Sequence, residues 1–384
     1  MTLRETTATT IEGARTELVA LSHFIHAHPE LGYEEFASSD AVAAAAESWG
    51  FRVERAIADL PTAFRATTGS GDLHVVFCAE YDALPDVGHA CGHNIIAAAS
   101  LGAALGLGAV ADDLNLTVTL LGTPSEEGGG GKIDLINAGY FDDAHAAMMV
   151  HPFPEERLEA ICLAVDHFDV TYSGKAAHAS AAPWEGLNAL DALTIAQVAI
   201  GLLRQQFRPE DQVHGIVAEG GSAANITPSR VVGRFMARSA TRSGLDVLRQ
   251  RLNACFEAGA LATGTTLSVE ELGHPFSHMV SDLDILAHYR DAAEAVGRHF
   301  FLDDEGGAKP TISTDMANVS LVVPAIHPLL MIPTHGAVNH QPEFTAACVT
   351  PAADQAVIDG AIALANTAVG VAEDVSLRER LLQR

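Results

Sequence analysis

The chain has 384 residues and a net charge of −27, from 22 basic and 49 acidic residues. A chain of this length is sufficient for about two or three domains and a large hydrophobic core. Its excess of negative charge argues against nucleic acid or an acidic membrane surface as a partner, because both are negatively charged themselves.

The first 160 or so residues alternate between helical and strand patterns. Apolar residues at helical spacing predict helices over 10–28 and 37–49. Strands and helices are then predicted in alternation: strand 73–79, helix 95–108, strand 116–121, helix 131–138 and strand 145–151. This alternation is typical of an α/β domain with a mostly parallel sheet flanked by helices.

The pattern changes after about residue 163 and changes back near residue 280. Between these points, two predicted helices (186–206 and 243–263) lie among four predicted strands (163–173, 213–219, 230–238 and 265–272). Afterwards come a helix at 282–298, a strand at 328–332 and a helix at 351–372. We therefore expect an α/β domain of residues 1–163 and 276–384, interrupted by an inserted α+β sandwich of residues 164–275.

The cysteines and the first residues of the chain indicate which cellular compartment to expect for the protein. The five cysteines are odd in number and irregularly spaced, which predicts no disulfide framework and favours a reducing, cytoplasmic setting. The first residues, MTLRETTATT, lack the basic region and apolar core of a signal peptide. No apolar stretch reaches about 18 residues without charged or turn residues, so we expect no membrane span.

Side chains that bind metals follow the predicted strands. Cys91 and His93 come after the first strand, Glu126 and Glu127 follow the second, and His151 ends the third. Because the carboxyl ends of parallel strands share one crevice, we expect these side chains to meet. Of the two adjacent carboxylates, one could bind metal while its neighbour takes a proton from a water whose pKa the metal lowers to about 7. Taken singly, each of these residues could instead be structural, and the acidic pair a solvated turn.

Two other motifs do not qualify as sites. His26 and His28 close a predicted helix, where imidazoles are electrostatically favourable, so we do not take them as ligands. The run Gly128–Lys132 resembles a phosphate-binding loop, but Ile133 stands where Ser or Thr is needed and Glu126 where a glycine is needed. We expect a flexible turn leading into a helix.

Several motifs occur in the order found in one known family. The chain resembles the dinuclear-metal amidohydrolases related to aminoacylase and carboxypeptidase G, through HACGHN, GTPSEEGGGGK, YSGKAAHASAAPWEGLNALDA, STDMANVS and NHQPEF. The resemblance spans roughly residues 15–375 and is strongest to the branch of aminobenzoyl-glutamate hydrolase, the auxin-conjugate hydrolases and the dipeptidase-like amidohydrolases. It implies a zinc-exopeptidase-like domain, in which the insert serves as a lid or dimerisation domain.

The resemblance also implies a metal centre with two divalent ions per chain. The residues that match the family's ligands are Cys91, His93, Glu127, His151 and His340. A thiolate ligand favours zinc, with manganese as the alternative. His335 competes with His340 for the last position, and the Asn-His-Gln-Pro-Glu-Phe context favours His340.

Three further residues match the family's catalytic and binding positions, and a fourth residue is a candidate for substrate binding. Glu126 would be the general base, and His178 would reach the substrate carbonyl, often from the partner subunit of a homodimer. Asn225 would help to hold the substrate, and Arg238 is a candidate partner for its carboxylate.

The chain departs from the wider family at one position. Where much of that family has His-x-Asp, this chain has Glu80, Tyr81 and Asp82. We expect the retained Asp82 to act in catalysis by orienting a metal ligand. His93 would replace the missing imidazole, while the role of Glu80 stays open.

The sequence therefore predicts a metal-dependent amidohydrolase that cleaves the amide bond of an N-acyl amino acid or a related small amide. One alternative is a dipeptidase or carboxypeptidase with the same site. Another, from a different class, is a non-catalytic metal-binding dimer. The intact pair of Glu126 and Glu127 argues against the last, because a protein that only binds metal needs no base.

Overall fold

The structure is a computed structural model that describes residues 1–300 and 310–384. Within these residues the chain divides into two compact units. The first unit contains residues 1–161 and 279–384, and the second contains residues 162–278. These bounds differ by two or three residues from those expected from the sequence.

The first unit is built on a six-stranded sheet. Its strands are β1 (Arg52–Arg55), β2 (Phe64–Gly69), β3 (Leu73–Ala79), β4 (Leu116–Gly122), β5 (Ala146–Met148) and β13 (Ala325–Ile326). Their order is β1-β2-β4-β3-β5-β13. β2 runs antiparallel to β1 and β4, whereas the pairs β3-β4, β3-β5 and β5-β13 are parallel. The predicted mostly parallel sheet is confirmed, with an antiparallel edge added to it.

Helices surround this sheet. They are α1 (Leu3–Gly13), α2 (Arg15–Ala27), α3 (Phe36–Ser48), α4 (His93–Gly108), α5 (Gly131–Asn137), α8 (Leu283–Ala295), α9 (Met316–Ser320), α10 (Pro342–Ala347), α11 (Pro351–Glu373) and α12 (Val375–Leu382). Within residues 1–300 and 310–384 there are four further short strands outside the main sheets: β6 (His151–Phe153), β7 (Ile161–Cys162), β12 (Thr311–Ile312) and β14 (Leu329–Met331). β6 pairs in parallel with β14.

The core of the first unit lies between α4, α11 and the sheet. α4 and α11 are buried along almost their whole lengths and pack against each other. A Cβ at Gly102 would lie 2.9 Å from the Cβ of Ala361, so the glycine allows the two helices to approach closely. Among the described helices, α11 is long and apolar enough to span a membrane, and 83% of its most apolar window is buried inside the structure. Its environment is that of a core helix.

The second unit contains one antiparallel sheet and two long helices. The strands are β8 (Ala164–Ser173), β9 (Gln212–Glu219), β10 (Arg230–Ser239) and β11 (Thr266–Glu271), in the order β11-β8-β10-β9. The helices are α6 (Ala189–Leu203) and α7 (Arg242–Thr263). Aromatic residues of the sheet pack against the helices, with Phe168, Phe235 and Phe256 in mutual contact. The predicted α+β sandwich is confirmed.

The local structure differs from the prediction at several places. The predicted helix over 10–28 is two helices, because the backbone leaves the helical region at Ala14 (φ −97°, ψ 7°). The predicted strand over 145–151 is two short strands, β5 and β6. β1 was not predicted, since three of its four residues are charged and an edge strand needs no continuous apolar run. β2, which lies between β1 and β4, was not predicted either.

Candidate metal centre

The turn before α4 presents the first two predicted ligands. Cys91 and His93 flank Gly92, and both are buried. Gly92 has a φ of 77°, and a Cβ there would lie only 2.9 Å from Pro152. A glycine is therefore required between the two ligands, both for the backbone conformation and for the close approach of Pro152.

The adjacent parallel strands β3 and β4 end at the same edge of the sheet. The loop after β3 supplies Asp82, and the loop after β4 supplies Glu126 and Glu127. The backbone N–H of Ser125, just before the acidic pair, donates to Oε1 of the buried Glu35 at 2.7 Å. This hydrogen bond fixes the backbone immediately before Glu126 and Glu127.

The predicted ligands come together in two overlapping groups. The ligand atoms of Cys91, His93 and His151 lie within 4.8 Å of one another, and so do those of Cys91, Glu127 and His340. Cys91 belongs to both groups, so its thiolate could bridge two ions. His340 occupies the position for which His335 was the alternative.

His340 is held by its backbone as well as by its side chain. Its N–H donates to the carbonyl oxygen of Ala90 at 2.9 Å, which ties it to the segment that carries Cys91. Its φ of 72° lies in the left-handed region, which costs a non-glycine residue about 1–3 kcal/mol. Such strain is common where a side chain must be presented to a site.

Asp82 contacts one residue of each ligand group through its two carboxylate oxygens. Its Oδ1 lies 2.9 Å from Nδ1 of His93, and its Oδ2 accepts a hydrogen bond of 2.9 Å from the backbone N–H of Glu127. Burial lowers the pKa of His93, but the charge and hydrogen bond of Asp82 outweigh it and hold that pKa well above its usual range. With Nδ1 directed at Asp82, Nε2 of His93 is the nitrogen available to a metal.

Glu126 lies beside the ligands and is 5% exposed. Its Oε2 is 3.9 Å from Nε2 of His93. Burial, followed by the negative charges of Glu80 and Glu127, raises the pKa of Glu126 well above its usual range. A carboxylate with a raised pKa is a stronger base than one in water, as a general base must be.

The residues present fit a divalent metal centre. Nε2 of His93 and Oε1 of Glu127 are buried and have no hydrogen-bond partner among the described residues. Nε2 of His340 lies 3.4 Å from Oε1 of Glu127. Two ligands that are each about 2 Å from one tetrahedral ion lie roughly 3.4 Å apart. The sulfur, nitrogen and oxygen donors are also those that zinc accepts.

A buried ion cluster lies next to these ligands, and sequence reasoning missed it. Lys132 is fully buried, and its Nζ donates to Oε1 of Glu80 at 2.5 Å and to Oδ1 of Asp315 at 2.6 Å. The Gly-rich run before Lys132 predicts only a turn leading into a helix. One signal was present, since Lys132 is one of only three lysines in the chain.

A further histidine beside the metal centre was not predicted from the sequence. His327 follows β13, is 5% exposed, and its ring lies 5.4 Å from the ring of His151. Burial lowers the pKa of His327 to about 3, which keeps the ring neutral. The signal was a repeated pattern, because both histidines end a strand-like run and precede a proline (Pro152 and Pro328).

The remaining predicted site residues belong to the second unit. His178 and Asn225 lie in exposed turns that are brought together, since the N–H of Ala179 donates to the carbonyl oxygen of Asn225 at 3.0 Å. Nδ1 of His178 accepts from the backbone N–H groups of Ser180 and Ala181 at 3.3 and 3.2 Å. Nδ1 is therefore the acceptor nitrogen, and Nε2 carries the proton of the neutral ring.

Arg238 is not brought together with these two residues within the second unit. On β10 it pairs with Val165, whereas Arg230, at the end near His178 and Asn225, pairs with Ser173. Eight residues of strand separate the two ends of β10, a distance of about 26 Å. The role of Arg238 in binding a substrate carboxylate stays a prediction.

The chain is similar to known proteins over most of its length. The model of peptidase family M20/M25/M40 matches residues 76–357. The Xaa-Arg dipeptidase of Mus musculus is 40% identical over 386 residues, covering 96% of this chain and 89% of that protein. One of the p-aminobenzoyl-glutamate hydrolase subunits of Escherichia coli is 31% identical over 278 residues, covering 67% of this chain and 58% of that protein.

A solved structure shows the same fold. A dinuclear metal-binding peptidase of the M20 family from Bacillus subtilis aligns with a TM-score of 0.72 and 19% identity, covering 95% of this chain and 100% of that one. The family is thus the one that the sequence motifs resembled, and it implies two divalent metal ions per chain. The chain belongs to peptidase family M20/M25/M40 and is a hydrolase of amide bonds.

Proposed function

We propose that this chain uses two divalent metal ions to hydrolyse the amide bond of a small substrate that carries a carboxylate, such as an N-acyl amino acid. The observation that supports this most directly is the pair of ligand groups that share Cys91, with the buried Glu126 beside them. A protein that only bound metal would need the ligands but not the base. When bound, the ions supply Lewis-acid polarisation of the carbonyl and a lowered pKa for a water molecule.

The chain's own residues handle the protons. Glu126 accepts a proton from the attacking water and passes it to the leaving amine, a role that its buried position and raised pKa favour. Glu127 serves as a ligand instead, since its Oε1 lies 3.4 Å from Nε2 of His340. His178 carries its proton on Nε2 and can donate to the oxygen of the scissile carbonyl as negative charge develops there. Asn225, beside His178, helps to hold the substrate.

Zinc is the metal that the ligands favour. Burial raises the pKa of the Cys91 thiol well above its usual range, so the thiolate would form as a metal binds. A thiolate is a soft ligand, which zinc accepts more readily than manganese does. Manganese is the alternative, since the other ligands are imidazoles and a carboxylate. The five cysteines are free, in keeping with a reducing compartment such as the cytoplasm.

A dipeptide is the second candidate substrate. The relative with 40% identity over 96% of the chain is an Xaa-Arg dipeptidase, whose name specifies a C-terminal arginine. An N-acyl amino acid and a dipeptide present the same amide bond and the same carboxylate, so one site could act on both. They differ in the free amine of the dipeptide and in the arginine side chain.

We also propose that the protein is a homodimer through the second unit. α6 exposes Ile195, Val198 and Leu202 along one face, at spacings of three and four residues. β9 is an edge strand of the sheet and exposes Ile216. The guanidinium of Arg204, just after α6, donates to the carbonyl oxygen of Val213 at 2.7 Å and so joins the end of α6 to β9. An apolar helix face and an open strand edge are both suited to a two-fold interface.

A substrate panel tests the proposed function. The protein would be freed of metal with a chelator, reloaded with zinc or manganese, analysed for two ions per chain, and assayed for amine release. The panel contains N-acetyl amino acids, aminobenzoyl-glutamate, dipeptides ending in arginine and the same dipeptides ending in alanine. We expect hydrolysis that depends on the metal. Preference for the arginine series would identify a dipeptidase, and no hydrolysis of any substrate by the loaded protein would contradict the proposed substrate class.

A further inference from the structure

Glu80 stands at the position where much of the wider family has a histidine, and its surroundings are unusual for a carboxylate. It is fully buried, and its Oε1 accepts a hydrogen bond of 2.5 Å from Nζ of Lys132. Lys132 is held in turn by Asp315, which accepts from Nζ at 2.6 Å and from the backbone N–H of Lys132 at 3.0 Å. One oxygen of Glu80 is therefore fixed in place.

The other oxygen of Glu80 faces the metal centre. Oε2 is buried and has no hydrogen-bond partner within residues 1–300 and 310–384, and the same is true of Nε2 of His93. These two atoms lie 3.5 Å apart. That is long for a hydrogen bond between nitrogen and oxygen, for which about 2.7–3.2 Å is usual. It is close to the roughly 3.4 Å that separates two ligands of one tetrahedral ion.

We propose that Glu80 is a metal ligand, which binds through Oε2 the ion that His93 also binds, and that Lys132 and Asp315 are positioning residues for it. The inference rests on the proposed metal-dependent function and adds a ligand to it. Glu80 stands at the position where the wider family has an imidazole, so the ion that His93 binds gains an anionic ligand from that position instead of a neutral one.

The charges of the cluster are consistent with this role. Lys132 carries one positive charge between two carboxylates, so the three side chains together keep a charge of −1. Without Lys132, neither oxygen of Glu80 would be held in place, and either one or both could face the ion. With Oε1 held by Lys132, only Oε2 is available, and the carboxylate binds through one oxygen. A cluster that served only the fold would instead be expected to satisfy both oxygens, because burying an oxygen without a partner is costly.

A substitution at Glu80 tests the ligand, with metal affinity as the readout. Glu80→Gln keeps the size of the side chain and an acceptor for Lys132 but removes the anionic ligand. The affinity of each site would be measured by competition with a chromophoric chelator, using zinc added to the metal-free protein. We expect one ion to bind at least about tenfold more weakly and the other to bind as in the unmodified chain. Unchanged affinity at both sites would overturn the assignment.

Glu156→Gln is the matched control. Glu156 is also a buried carboxylate paired with a cation, since its Oε2 lies 3.3 Å from Nη1 of Arg298. Both substitutions remove a buried negative charge, so both can lower thermal stability, but only Glu80→Gln should weaken a metal site. Asp315→Asn tests the positioning residues. It should weaken the same site as Glu80→Gln, to a smaller degree, whereas a purely structural role would lower the melting temperature of the metal-free protein and leave both affinities unchanged.

A structure of the zinc-loaded, unmodified chain decides the question even if the variants do not fold. Oε2 of Glu80 at about 2.0–2.2 Å from an ion would support the assignment, and a distance beyond about 3 Å from both ions would overturn it. Failure of the proposed function has a different signature. A chain that binds two zinc ions, one of them through Glu80, but hydrolyses no amide would retain the ligand and lose the function.

Discussion

The carboxylate of Asp82 lies 2.9 Å from Nδ1 of His93, on the side of the imidazole ring away from the metal-binding nitrogen. The second oxygen of the same carboxylate accepts the backbone N–H of Glu127 at 2.9 Å. One buried side chain thus orients a ligand from each of the two groups. A neutral ring that donates from Nδ1 presents its Nε2 lone pair, so Asp82 determines the tautomer as well as the position of the ring.

Asp82→Asn should therefore weaken metal binding without removing a ligand. The asparagine side chain has one acceptor and one donor group, so it can satisfy only one of the two N–H groups that now point at Asp82. We expect metal affinity to fall about 10- to 100-fold, as measured by chelator competition. Asp113→Asn, on an exposed turn, is the control and should leave the affinity unchanged. Equal affinities for both variants would contradict the orienting role.

The adjacent carboxylates Glu126 and Glu127 should respond differently to the same substitution. Glu126→Gln cannot accept the proton from water, and we expect kcat to fall about 10²- to 10⁴-fold while two ions per chain remain bound. Glu127→Gln removes a ligand, so metal content should fall along with activity. The measurements are steady-state kinetics and metal analysis of both variants. If Glu126→Gln kept more than about a tenth of the activity, Glu126 would not be the base.

Much of the fold follows from apolar periodicity. β3 and the start of β4 were predicted to the residue, because buried strands of a parallel sheet are predominantly apolar. The break at Ala14 was not predictable in this way, since apolar positions such as Ile11 and Leu18 keep helical spacing across it. Periodicity reports which face of the chain is buried and is insensitive to a local change of backbone direction.

The residues of the candidate site also differ in whether they could be found from the sequence. Cys91 and His93 could be found from the sequence because ligand-type residues close together after a strand are unusual. Lys132 and Asp315 could not, since they are 183 positions apart and only the fold brings them together. Arg238 illustrates the reverse case, because its chemistry suited a substrate carboxylate but its position on β10 depends on strand register.

Lys132→Met should destabilise the first unit strongly. It removes the cation between two fully buried carboxylates, Glu80 and Asp315, and breaking a buried pair in this way typically costs about 3–5 kcal/mol. The free energy of unfolding would be measured by urea denaturation of metal-free protein, so that loss of metal does not contribute. Lys175→Met is the control: Lys175 is exposed and 3.5 Å from Glu185, so its loss should change stability by less than about 1 kcal/mol. A similar effect of the two substitutions would show that the buried cluster is not stabilising.

Val198→Glu should convert the proposed homodimer into a monomer. Val198 is 60% exposed at the centre of the apolar face of α6, and a charge there would be buried without a partner in a two-fold interface. Leu261→Glu is the control, because Leu261 is 87% exposed on α7, outside the proposed interface. Light scattering at working concentration should give a dimer for the unmodified chain and for Leu261→Glu only. A monomeric unmodified chain would refute the dimer outright.

A mixing experiment tests whether His178 acts on the active site of the partner subunit. His178→Ala and Glu126→Gln are each expected to be nearly inactive, the first for lack of a donor to the carbonyl oxygen and the second for lack of a base. When the two are combined under conditions of subunit exchange, a heterodimer contains one intact Glu126 and one intact His178, on different subunits. If His178 acts across the interface, these two residues serve the same site, and a statistical mixture should regain about a quarter of the unmodified activity. If His178 acts within its own subunit, every site still lacks one group, and the mixture stays as inactive as each variant mixed with itself.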